Sequence, residues 1–151
     1  MVGNIAGRLH PQLAMAYRQT VTREWWETTA KQHEVFVSEL VLDECGAGDP
    51  QAAAERIGLI QDLPALEIEE PARQLAAALL DAQAVPRTEP RDATHIAIAA
   101  IGAMYFLVTW NFKHILNPTK QALIAQVCRR AGYEPAMLST PEQMTEGLDD
   151  P

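Results

Sequence analysis

Between Arg91 and Pro118 the chain carries an unbroken pattern of helix, turn and strand. Asp92 stands in the first turn of the helix, behind Pro90, which suits a helix start because its missing N–H would be unpaired there anyway. An apolar helix face follows and Gly102 ends it. Tyr105 to Thr109 then form an apolar run of strand length. A run that is apolar throughout is expected of a strand buried on both faces, as in a parallel sheet covered by helices. Polar residues crowd just past it: Thr109, Asn111, Lys113 and His114. In open α/β sheets chemistry gathers at the carboxyl ends of strands. The helix start and the strand end are therefore expected to bring polar groups to one place.

The rest of the chain repeats the alternation. Met1 to His10 is short and mixed. Pro11 to Gln32 reads as a helix, with Leu13, Tyr17, Thr20 or Val21, Glu24 and Thr28 at spacings of three and four, and with Trp25 and Trp26 at the core and its edge. Glu34 to Ser38, Ala65 to Ile68 and Ala136 to Ser139 read as short strands. Ser38 can cap a short helix that ends at the glycines Gly46 and Gly48. Further helices are expected from Pro50 to about Gln61, from Pro71 to Ala84 with Leu75, Leu79 and Leu80 as the stripe, and from Thr119 to Arg130, ended by Gly132. Thr140-Pro141 opens a capped helical turn. Strands alternating with helices predict parallel strands joined by right-handed crossovers, an α/β sandwich. Residues 1–146 are expected to form one domain and 147–151 a frayed acidic tail.

Composition removes several classes. Apolar residues make up 48 % of the 151 residues, ordinary for a globular chain and too many for one that is mostly disordered. No apolar run reaches the roughly 18 to 20 residues that cross a bilayer, so no membrane partner is expected. The net charge of −8 speaks against a protein that coats nucleic acid, which needs Lys and Arg for phosphates. It leaves room for an enzyme with acidic, metal-binding residues, and it suits a basic partner segment. The two cysteines, Cys45 and Cys128, lie far apart and form no metal-binding spacing, as in a cytoplasmic protein. Gly46-Ala-Gly48 lacks the third glycine of a dinucleotide loop, and neither a phosphate-binding loop nor a nucleophile elbow occurs.

Glu44, Asp92 and Asn111 remain as hard oxygen donors placed near strand ends or helix starts. Gathered at one sheet edge they would suit Mg²⁺ or Mn²⁺. Each has a second reading: Glu44 as a solvated helix residue, Asp92 as a charge stabilising the helix dipole, Asn111 as the cap of a short helix from Phe112 to Leu116. His95 shares a helix face with Asp92 and reads as an orienting residue or a ligand. Lys113 and His114 are candidates for phosphate contact or for plain surface. Thr109 either supports a metal-bound carboxylate or finishes the strand.

The segments Asp92-Ala-Thr-His95-Ile-Ala and Leu107-Val-Thr-Trp-Asn111-Phe-Lys-His-Ile115, with Ser38-Glu-Leu-Val-Leu-Asp-Glu44, resemble the PIN domain family, and within it the VapC-like toxins of type II toxin–antitoxin systems. The resemblance implies a three-layer α/β/α sandwich around a central parallel sheet. It implies a Mg²⁺- or Mn²⁺-dependent endoribonuclease with RNA as substrate and a cognate antitoxin as partner. It also leaves a homodimer open. Glu44 matches the second acidic position, Asp92 the third and Asn111 the fourth. Thr109 matches the polar position beside the fourth. The family opens with a central strand that ends in an acidic residue. No such strand precedes the first helix here, and the expectation is an N-terminus truncated by roughly five to eight residues. A degenerate PIN-like domain that only binds a partner is the alternative.

Overall fold

The computed structural model describes residues 1–6 and 12–146. The acidic tail and Pro11 lie outside them. In chain order the elements are α1 (Gly3–Ala6), α2 (Leu13–Glu27), a 3-10 turn (Thr29–Gln32), β1 (Val37–Ser38), α3 (Glu39–Cys45), α4 (Pro50–Ile60), β2 (Ala65–Leu66), α5 (Glu70–Asp81), α6 (Pro90–Ile101), β3 (Phe106–Val108), α7 (Pro118–Arg130), β4 (Met137–Ser139) and α8 (Pro141–Glu146). The chain is α/β and mostly helical. Its strands form two separate two-stranded sheets, β1 with β2 and β3 with β4. It divides into two compact units, Met1–Ala65 with Thr140–Pro151, and Leu66–Ser139. No described helix is long and apolar enough to cross a membrane.

Prolines and caps fix where the helices begin. Pro50, Pro90 and Pro118 occupy first helical positions, where a missing N–H costs nothing. Ser38, Asp49 and Asn117 accept hydrogen bonds from the backbone N–H groups of Val41, Ala52 and Thr119. Thr140 and Gln143 bond reciprocally, each side chain to the other's backbone N–H at 3.0 Å, closing a capping box at the start of α8.

In the first unit, α2 turns a different face inward from the one its spacing predicts. Leu13 and Tyr17 are 87 % and 51 % exposed, while Gln19, Thr22 and Trp25 are buried. Thr22 can be buried because its hydroxyl donates to the Arg18 carbonyl at 2.6 Å, so that hydroxyl is not stranded. Trp25 lies in the core and Trp26 at its edge, as expected. The first residues form the helical turn α1, and Arg23 Nε donates to the Ile5 carbonyl. The helix expected to reach Gln32 stops at Glu27. Thr28 leaves helical geometry there, and the 3-10 turn follows. Of the strand expected over 34–38, only Val37 and Ser38 are extended in a ladder.

The second unit is built on α5 and α6, which pack against each other more extensively than any other pair of elements. Leu75, Leu79, Ala72 and Ala76 form the buried face of α5. Ala93, Ile96, Ala97 and Ala100 are buried on α6. Small alanine side chains let the two backbones approach closely. β3 pairs with β4 in parallel register, Phe106 opposite Met137 and Val108 opposite Ser139. Here burial on both faces is not found: Tyr105, at the strand's entry, is 88 % exposed, and Phe106 and Met137 are also exposed. Apolar composition alone did not imply a central position, because a strand paired on one side with a single neighbour leaves part of its surface to solvent.

Helix α6 ends at Ile101, with Gly102 as its C-cap, where the sequence places the end. Gly102 keeps right-handed geometry, and Ala103 takes the left-handed conformation at φ 55°. The N–H of Ala103 bonds the Ala100 carbonyl and that of Met104 bonds the Ala99 carbonyl, a Schellman closure. Gly102 stands where a side chain would be crowded. A Cβ there would stand 3.2 Å from the Ile98 oxygen and 3.2 Å from Leu66 Cδ1. A left-handed alanine is strained, by about 1 kcal/mol or somewhat more. Ala103→Gly is therefore expected to raise stability by roughly 1 kcal/mol, seen as a higher urea midpoint with an unchanged slope.

Candidate metal centre

Asp92 sits in the first turn of α6, held by the helix that packs on α5. Glu89 precedes Pro90 as the residue that caps this helix, yet its side chain makes no capping bond. Two carboxylates thus share one helix start, at the positive end of the helix dipole.

The third group arrives from the strand end. The N–H of Thr109 donates to the Ser139 carbonyl at 2.9 Å, tying the end of β3 to β4. Thr109 Oγ1 accepts from the Asn111 N–H at 3.1 Å, and Asn111 Oδ1 accepts from the His114 N–H at 3.0 Å. Ile115 and Leu116 donate to the Asn111 carbonyl and are buried, which anchors the turn. Behind it, Asn117 and Gln121 donate from their side chains to the carbonyls of Lys113 and Leu116. The outcome is one fixed contact: His114 Nδ1 lies 2.8 Å from Asp92 Oδ2, with both side chains mostly buried.

Glu89, Asp92 and His114 each offer a ligand atom, and all three atoms lie within 4.8 Å of one another. Carboxylate oxygens with waters are the donors that suit a hard divalent cation. Two carboxylates this close repel when the ion is absent, and a cation removes that cost.

The structure thus brings Asp92 and His114 together, with Asn111 and Thr109 one and two hydrogen bonds behind them. His95 is half-buried on α6 and is not one of the clustered ligands, and Lys113 is exposed. Glu44 is exposed near the end of α3 in the first unit. Glu89 was not foreseen, because its position before Pro90 made it part of a loop. The signal was present as Glu-Pro-x-Asp, which puts acids at the cap and third positions of one helix, where a reciprocal capping box would need a hydroxyl and an acid. Burial pushes the thiols of Cys45 and Cys128 up from their ordinary range, which disfavours the nucleophilic thiolate in both.

Comparison with protein-family models, curated proteins and solved structures returns no match to this chain.

Proposed function

We propose that this chain is a divalent-metal-dependent endoribonuclease of the PIN type, acting as the toxin of a type II toxin–antitoxin pair. The observation that carries the reading is the convergence of Glu89, Asp92 and His114 within 4.8 Å. The PIN-type sandwich, the RNA substrate, the antitoxin and the cytoplasmic setting rest on the sequence resemblance around Thr109-Trp-Asn111-Phe-Lys-His114-Ile115. Glu44 enters as a further ligand on that resemblance alone.

Glu89 and Asp92 would hold Mg²⁺ or Mn²⁺ through carboxylate oxygens. The bound ion supplies an activated water and charge stabilisation for cleavage of a phosphodiester. Asn111 and Thr109 keep the turn after β3 in place, so that the cluster forms without rearrangement. Lys113, exposed beside it in sequence, is suited to a substrate phosphate. Arg87 and Lys120, with Gln83 and Pro86, line an open groove of the same unit. Neither cation is engaged in an ion pair among the described residues, so both are available to the backbone of a bound strand. A basic antitoxin segment would fit the chain's excess of negative charge.

Purified protein is expected to cut RNA with Mg²⁺ or Mn²⁺ and to stop when EDTA is added. Metal binding without cleavage would favour the partner-binding domain instead. The double change Arg87→Glu with Lys120→Glu is expected to weaken RNA binding by about tenfold or more and to flatten the salt dependence of log Kd. Unchanged affinity and slope in fluorescence anisotropy would remove the groove from the substrate path.

A further inference from the structure

We infer that Phe112, braced by Trp110, is a stacking platform for an unpaired base of the RNA strand, so that the substrate is single-stranded where it meets the turn after β3. This rests on the ribonuclease reading. Phe112 is 50 % exposed, whereas Ile115 and Leu116 of the same turn are buried. A single exposed ring needs no explanation in itself. This one is held in place. The Phe112 N–H donates to the Trp110 carbonyl at 2.9 Å, a three-residue turn that sets the two side chains beside each other. Their ring centroids are 6.2 Å apart with the planes inclined at 50°, the geometry of a favourable tilted aromatic pair. Trp110 is half-buried and so supports the ring that faces solvent.

Position and charge point to the ligand. The Asn111 carbonyl accepts from the N–H groups of Ile115 and Leu116, which closes the turn around Phe112 and Lys113. Phe112 is two residues from His114, so their Cα atoms lie within about 7 Å of each other. His114 in turn touches Asp92 at 2.8 Å. Lys113, exposed, stands between the ring and His114 in the chain. The protein as a whole carries a net charge of −8, so a local cation marks where an anionic strand can approach. An aromatic face next to an ammonium group is the pairing that single strands use, base on ring and phosphate on cation. In a duplex the bases are already stacked on one another and present no open face to a side chain. Because Trp110 holds the ring in advance, binding forfeits little side-chain freedom. The same cation beside the ring favours a polyanion over a protein segment as the occupant.

The test uses the full chain and a short single-stranded RNA carrying 2-aminopurine at successive positions, with EDTA present so that nothing is cleaved. Stacking on an aromatic ring quenches the fluorescence of this base, and anisotropy of an end label gives the affinity. Phe112→Leu keeps the apolar bulk and removes the π face. It is expected to weaken single-strand binding by about 10- to 100-fold and to abolish the quench. Phe112→Tyr and Phe112→Trp keep a face and should bind within about threefold of the unmodified protein, with the quench retained. Affinity for a duplex of the same sequence should not change in any variant. Undiminished single-strand affinity in Phe112→Leu, an equal loss in Phe112→Tyr, an equal loss on duplex RNA, or no quench at any position would each overturn the inference while leaving RNA as the substrate. Absence of RNA binding by the unmodified chain, in EDTA and in Mn²⁺ alike, would overturn both.

Discussion

Asp92→Asn is expected to lower metal-dependent RNA cleavage by on the order of 10³-fold, corresponding to about 4 kcal/mol of lost transition-state stabilisation. The substitution is nearly isosteric. An amide oxygen can still accept from His114 Nδ1, so the contact that seats the ring survives. What disappears is one negative charge from the pair at the start of α6. Two consequences separate this from a folding defect. In EDTA the variant should be no less stable than the parent, because repulsion from Glu89 is relieved. In Mn²⁺ the parent should gain stability and the variant should gain little, since only a bound native state is stabilised by mass action. Equal cleavage by variant and parent would take Asp92 out of the mechanism.

Leu79→Ala is the second large effect, expected to destabilise the fold by roughly 3 kcal/mol. Leu79 has no exposed surface, and it lies on the face of α5 within the helix pair that positions Asp92. Truncation removes buried methyl groups and leaves a void that backbones in close contact cannot easily close. The increment added by saturating Mn²⁺ should be the same in this variant as in the parent, because the cavity and the cation site do not share atoms. A urea midpoint unchanged within error would mean that α5 and α6 do not form the core of this unit.

Local chemistry made the helix starts readable. Pro50, Pro90, Pro118, Ser38, Asp49 and Thr140 each impose a backbone geometry on their immediate neighbours, and each helix begins where those residues direct. The inward face of α2 was not readable in the same way. Its pattern was dominated by Leu13 and Tyr17, which are exposed, whereas the buried Thr22 satisfies its hydroxyl within its own helix and so behaves as an apolar residue. Strand extent was also poorly legible. A ladder needs a partner, and the sequence of β3 does not say on how many sides it will find one. The same division holds for the site. Asp92, Asn111 and His114 stood out because each lies at a helix start or strand end. Glu89 lay hidden in a proline loop, and only the fold shows its carboxylate beside Asp92 and His114. The side chain of Asn111 caps the turn, as one of its two readings expected: its Oδ1 accepts the His114 N–H.

Calorimetric titration of Mn²⁺ into the purified, metal-free chain, run beside Asp92→Asn, tests the central claim most directly. One saturable binding event per chain that is lost in the variant is the predicted result. No metal-dependent heat in the unmodified protein, or an equal isotherm in the variant, would contradict it.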